Sequence, residues 1–184
     1  MRQHTTSLTM PYQIPPEDSY YDVIAPGYDR LHSEEQQRKA RIILKHLDFR
    51  PDWELLDVGC GTGAATKLFP CMLTGVEPSR ELASRASFKV MQAVAQKLPF
   101  ADKSFDVVIC LTVMHLVPNP GRALDEIERV SKQWIVISML KKSKSHGHLM
   151  ALIRARLEIE SEIDDIHDTI IIARPKSLII KKYK

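Results

Sequence analysis

The feature that most constrains this chain is an alternation that begins at Trp53. Short apolar runs, WELLDV (53–58), MLTGVE (72–77), FKVMQAV (88–94), FDVVIC (105–110) and QWIVISML (133–140), take turns with amphipathic stretches at 63–69, 79–87 and 119–131. Apolar runs this short suit strands buried on both faces, and helices are what cover such faces. Strands alternating with helices form βαβ units, hence a parallel sheet with helices on both sides. After a further helix near 148–155 come RLEIESEI and DTIIIAR. The turn DDIH between them is short enough for an antiparallel hairpin. The expected fold class is α/β, one doubly wound, Rossmann-like domain.

The N-terminal quarter follows different rules. Residues 1–16 contain Pro11, Pro15 and Pro16 without periodicity and read as a flexible arm. Residues 17–184 read as a single domain, with helices over 17–50 as a lid. The first helix starts near Pro16, with Glu17 and Asp18 suited to its N-terminus, and should break at Pro26-Gly27. A second should run from Ser33, as N-cap, to His46, burying Ile42, Ile43 and Leu47.

Composition excludes several classes. With 184 residues, 44% hydrophobic and 27% charged, the chain suits one globular domain rather than a disordered or fibrous one. No apolar run approaches the roughly 18 residues of a membrane span. The start, MRQHTTSLTM, lacks the apolar core of a secretory signal. Cys60, Cys71 and Cys110 are an odd, unpatterned set, which points to a reducing, cytoplasmic setting without disulfides. Residues 1–140 carry 16 basic and 17 acidic side chains, and residues 141–184 carry 10 and 6, so the basic surplus lies in the tail.

The first strand runs into LLDVGCGTG, with Gly59, Gly61 and Gly63 at alternate positions between strand and helix. Such spacing lets the backbone turn tightly and approach a ligand closely. The second strand ends at Glu77, where a carboxylate can accept both hydroxyls of a ribose. Gly59, Gly61 and Ala64 also satisfy the dinucleotide fingerprint G-x-G-x-x-[GA]. Asp57 argues against a dinucleotide, because its charge would oppose a pyrophosphate and favour a ligand with a cationic end.

The combination of LLDVGCGTG, GVEP, KLPFADKSFDVVIC and MHLV resembles the class I S-adenosylmethionine-dependent methyltransferases, nearest to the ubiquinone/menaquinone-type branch. The similarity covers about residues 20–140. It implies a seven-stranded, mostly parallel sheet of order 3-2-1-4-5-7-6 with the last strand antiparallel. It implies S-adenosyl-L-methionine as cofactor; no Cys/His spacing resembles a zinc site, so no metal is expected. By the resemblance, Gly59, Cys60, Gly61 and Gly63 form the loop beneath the methionine and ribose, and Asp57 orders the amino end. Glu77 would hold the ribose and Pro78 would edge the adenine. Val94 stands where the family commonly has an acid, which leaves adenine recognition to Ala95 and Gln96. Leu111 and Thr112 would line the methionine side, and Tyr28 resembles the family's N-terminal tyrosine that closes over the cofactor. Tyr21 is a weaker candidate for that role.

Methyl transfer from a sulfonium is an in-line displacement, so the protein chiefly aligns the reactants. A base is needed only when the nucleophile must lose a proton. His115, after the fourth strand, is the candidate, with helix capping or packing as the alternative. The Asn/Asp-Pro-Pro-Tyr of many amino-group methyltransferases is absent, Leu111-Thr112-Val113-Met114 standing there instead. Cys60 has no visible activating base. Asp164, Asp165, His167 and Asp168 read as a polar hairpin turn rather than a metal site.

A small-molecule acceptor is the main expectation. The alternative is RNA or protein, reached through Lys141, Lys142, Lys144, His146 and His148 in a basic loop near the mouth of the site, with an activator subunit as a further partner. Against RNA, no aromatic residues interleave with those lysines. A cofactor-binding sensor without turnover is the rival of a different class.

Overall fold

Alternate residues of the central strands feed opposite cores. Leu56, Val108, Cys110, Ile135 and Ile137 are buried on one face of the sheet, and Leu55, Val107, Ile109 and Val136 on the other. Continuous apolar runs are therefore required, because both faces are covered. The computed structural model describes residues 18–176, with side chains from 32 onward. The arm expected over 1–16, the tail SLIIKKYK and the side chains of Tyr21 and Tyr28 lie outside the described residues.

The strands are β1 (Glu54–Val58), β2 (Met72–Val76), β3 (Lys89–Met91), β4 (Phe105–Leu111), β5 (Ser131–Leu140), β6 (Leu157–Asp164) and β7 (Asp168–Pro175). They form a seven-stranded sheet of order β3-β2-β1-β4-β5-β7-β6. Pairings are parallel from β3 to β5, and β7 is antiparallel to both β5 and β6. This is the order and the hairpin that the sequence led us to expect. Helices α3 (Pro120–Val130) and α4 (His146–Arg156) pack on one face, and α1 (Asp18–His46) packs on the other. Asn119 caps α3 by accepting from Arg122 N at 3.0 Å, and Pro120 opens the helix where no backbone N–H is needed. Short α2 (Arg80–Ala83) follows β2, with Ser79 Oγ accepting from Leu82 N.

Three local expectations are corrected. The helix does not break at Pro26-Gly27: α1 is continuous, and Ser33 lies inside it rather than at a cap, accepting from Gln37 Nε2 at 3.0 Å. An internal proline removes one helical hydrogen bond without ending a helix that packing anchors downstream, here through Ala40, Ile43 and Leu47. The stretch at 63–69 yields only a 3₁₀ turn (Thr66–Leu68), because Pro70 follows at once. The segment 141–148 is only partly a loop, since α4 already begins at His146. The polar hairpin turn stands as expected, with Asp165 and Asp168 buried in it.

Candidate active site

The carboxyl ends of β1 and β4 lie side by side where the strand order reverses, which is where open α/β sheets bind ligands. Beyond β1 the chain turns through Gly59, Gly61 and Gly63, with φ of 77°, 54° and 77°. All three angles lie in the left-handed region that side chains avoid. Space is short as well, since a Cβ at Gly59 would sit 2.4 Å from Val113 Cγ2 and one at Gly63 would sit 2.4 Å from Phe88. Gly59 N and Cys60 N donate to Val76 O at 2.7 and 3.1 Å, fixing the turn to the end of β2.

Two carboxylates flank this turn. Glu77 is buried and accepts from Gly61 N at 2.9 Å and Ser79 N at 3.0 Å, so it braces the turn from the next strand. Asp57 is buried and accepts from Thr66 Oγ1 at 2.5 Å. Burial pushes its carboxyl up to about 7; the Thr66 bond opposes the shift and the Glu77 charge adds to it. A buried acid in that state is a ready partner for a cation. Burial likewise raises the Cys60 thiol far above its usual range, with the Asp57 and Glu77 charges adding to the effect. Cys60 is therefore an uncharged packing residue and not a nucleophile.

A cleft of about 360 Å³ opens over this turn. It is lined by Asp57, Gly59, Cys60, Leu111, Thr112 and His115 among the residues expected from the sequence. Glu77 and Gly61 adjoin it through their mutual hydrogen bond, whereas Gly63, Pro78, Ala95 and Gln96 are not in its lining. The Gln96 carbonyl is already taken by Arg122 Nε at 3.1 Å, and the Pro78 carbonyl by Gln92 Nε2 at 2.9 Å. His115 is half-buried, and among the described residues its Nδ1 has no hydrogen-bond partner. Burial lowers its pKa, Asp168 opposes that and Lys39 adds to it, so the ring is neutral and able to take up a proton near pH 7.

The remaining wall comes from α1. His32, Glu35 and Gln36 line the cleft, and Lys39 stands behind them, completely buried. Its ammonium donates to Thr112 Oγ1 at 2.6 Å and is ion-paired with Glu35 Oε1 at 2.7 Å and Asp168 Oδ2 at 2.8 Å. Thr112 has φ 62°, and its N–H donates to Ser138 O at 3.1 Å. A β-branched residue in that conformation stores on the order of 1–3 kcal/mol and persists only where its surroundings hold it. Burial pushes the Glu35 carboxyl up, but the hydrogen bond and charge of Lys39 outweigh this and leave it below its ordinary value.

Motif reading missed these α1 residues, although their spacing was legible. His32, Glu35, Gln36 and Lys39 recur at helical spacing along the stripe that Ala40, Ile43 and Leu47 continue as core. Polar residues on an inward stripe are the signal. The basic segment begins next to Leu140, which lines the cleft. Lys141, Lys142, Lys144, His146 and His148 are absent from the cleft lining, Lys141 pairs with Asp164 at 2.5 Å, and His146 Nε2 lies 3.2 Å from Thr169 Oγ1. No cluster able to hold a metal ion occurs among the described residues, nor is any helix there long and apolar enough to cross a membrane.

Comparison with known proteins places this geometry in context. Residues 56–134 match a family model described as a methyltransferase domain. An uncharacterised protein of Methanocaldococcus jannaschii is 32% identical over 141 residues, covering 66% of this chain and 56% of that protein. A phosphatidylethanolamine N-methyltransferase of Cereibacter sphaeroides is 27% identical over 152 residues, covering 74% and 73%. Among solved structures, a chain of the complex between the Haloferax volcanii Trm112 methyltransferase activator and a methyltransferase superposes with a TM-score of 0.75. That match is 16% identical and covers 89% of this chain and 99% of that one, a likeness of fold. This chain thus spans little more than half the length of the M. jannaschii relative.

Proposed function

We propose that this chain, which carries a class I S-adenosylmethionine-dependent methyltransferase domain, transfers the cofactor's methyl group to a small molecule held between α1 and the loop after β4. The observation that carries the reading is one cleft that holds Asp57 at the end of β1 and His115 beyond β4. Bound there, S-adenosylmethionine supplies an activated methyl and a good leaving group. The residues fit such a guest. Asp57, a buried acid whose hydrogen bond comes from Thr66, would meet its cationic amino acid end. Gly59, Cys60, Gly61 and Gly63 would pass beneath the methionine and ribose. Glu77, which braces Gly61 N and Ser79 N, would take the ribose hydroxyls. Pro78, Ala95 and Gln96 would edge the adenine, Leu111 and Thr112 the methionine. The segment 17–50 would act as the lid, with Tyr28 closing over the cofactor as the resemblance implies.

The chain's own work is alignment, exclusion of water and, for an acceptor that must be deprotonated, removal of one proton by His115. As the new bond to the methyl carbon forms and the carbon–sulfur bond breaks, the acceptor's proton would pass to the free imidazole nitrogen. A small acceptor is favoured over RNA because Lys141 is paired with Asp164 and the cleft wall presents Glu35. Transfer to a macromolecule with an activator subunit is the second reading, favoured by the fold likeness to the activator complex.

The test is transfer of radiolabelled methyl from S-adenosylmethionine into a cell extract, fractionated with and without ribonuclease. Label in a low-mass or solvent-extractable fraction is the expected result. Label in a ribonuclease-sensitive or protein fraction would move the assignment to the second reading. Binding of S-adenosylhomocysteine with no transfer at all would mark a sensor.

A further inference from the structure

We propose that Lys39 is a positioning residue for this cleft, holding the left-handed turn at Thr112 and the Glu35 side chain of α1 in one arrangement. The proposal rests on the cofactor reading above for its purpose, and on geometry for its content. Lys39 does not line the cleft, whereas Glu35 and Thr112 both do, on opposite sides of its ammonium in the chain's connectivity: one on α1, the other at the end of β4. The ammonium donates to Thr112 Oγ1 at 2.6 Å and is ion-paired with Glu35 Oε1 at 2.7 Å and Asp168 Oδ2 at 2.8 Å, so it stands between α1 and the end of β4. Thr112 Oγ1 is further surrounded by Ser138 Oγ at 3.2 Å and Asp168 Oδ1 at 3.4 Å.

Stability alone does not explain this arrangement. A fully buried ammonium and carboxylate are seldom more stable than apolar residues of the same size. A turn with positive φ is most cheaply made by glycine, yet this chain has threonine there, held through its hydroxyl by a lysine from another element. Both costs fall at one point, beside Leu111 and Val113 in the cleft lining. What the arrangement provides is coupling: α1 cannot leave the cleft without withdrawing the group that holds the Thr112 turn. Seating of α1 and the shape of the cleft floor are thereby one event, as pre-organisation of a site requires.

The test uses the full chain and S-adenosylhomocysteine as probe. Because Lys39→Met alone strands the Asp168 charge, the variant is the charge-balanced pair Lys39→Met with Asp168→Asn. Thermal unfolding verifies that it folds. We expect its affinity for S-adenosylhomocysteine to fall roughly tenfold or more, with shifted or broadened amide signals at Thr112 and Val113 in nitrogen-15 spectra. Adding Thr112→Gly supplies a residue that adopts positive φ unaided. Whatever Thr112→Gly costs by itself, the Lys39/Asp168 change made in that background should cost less than about threefold in affinity. A loss of equal size in both backgrounds, or unchanged amide signals at 112 and 113, would overturn the proposal. A parent that fails to bind S-adenosylhomocysteine would sink the cofactor reading instead, and the amide signals would still decide the role of Lys39.

Discussion

Asp57 joins burial, pH and ligand charge in one side chain. Its carboxyl stands at about 7, raised chiefly by burial, with Thr66 opposing and Glu77 adding. In the unfolded chain the value is about 3.9, so between those limits the folded state holds a proton that the unfolded state has released. Its contribution to stability is therefore fully present below about pH 4 and is lost as pH rises through about 7. Thermal melts without ligand should show stability falling between about pH 4 and 7 and levelling above that, and Asp57→Asn should flatten that slope. A cationic ligand favours the carboxylate, so binding of S-adenosylmethionine should release up to one proton near neutrality. Calorimetry in two buffers of different ionisation enthalpy reads that proton; identical heats near pH 6.5 would contradict the pairing. Glu77 makes a second prediction. Its oxygens brace Gly61 and Ser79, so Glu77→Ala should weaken S-adenosylhomocysteine by at least about tenfold, or roughly 1.4 kcal/mol. Unchanged affinity in a titration would remove the ribose assignment.

Between elements, Arg129 of α3 explains why KLPFADKSF holds its shape. All five of its donors are used: on Leu98 O, Phe100 O, Asp102 Oδ1 and both oxygens of Glu126, at 2.7 to 3.1 Å. Glu126 in turn accepts from Leu98 N at 2.8 Å. The fork thus pins the segment between β3 and β4 to α3. Arg129→Ala should cost about 2–3 kcal/mol, and Arg129→Lys most of that, because an ammonium cannot reproduce the planar fork. A melting temperature within about 2 °C of the parent would refute this. The motif was legible in the chain, but the arginine that shapes it lies beyond β4, and only the fold brings the two together. The same contrast runs through the site. Asp57, Gly59 and Glu77 were legible because local backbone geometry demands them at fixed spacing along one strand–turn unit. Lys39 and Asp168 were not, since their pairing joins residues from opposite ends of the sequence across the sheet. Asp168 read only as part of a polar hairpin turn, because burial depends on what packs over it. Pro26 misled for a related reason: local propensity predicts a break, and tertiary packing decides whether the helix tolerates it.

At the scale of the molecule, charge is separated by function. Among the described residues no lysine or arginine lines the cleft, which presents Asp57 and the Lys39-paired Glu35, so it favours cationic or neutral guests. The basic surplus lies in residues 141–184, where several of its members are held in pairs: Lys141 with Asp164, Arg154 with Glu162, Arg156 with Asp125 and Arg174 with Glu160. Pairing of this kind consumes charge that phosphate contacts would need. A polyanionic acceptor neutralised by six or more cations would lose about 10³–10⁵ in affinity between 50 and 200 mM salt. A small acceptor entering this cleft involves a single charge or none, and charges partly buried there are screened by salt much less than exposed ones. Once the low-mass acceptor is in hand, kcat/KM should therefore vary by less than about threefold across that range. A steep linear fall of log kcat/KM with log salt would instead identify a phosphate-rich acceptor and return Lys142, Lys144 and His148, which are exposed, to the recognition surface.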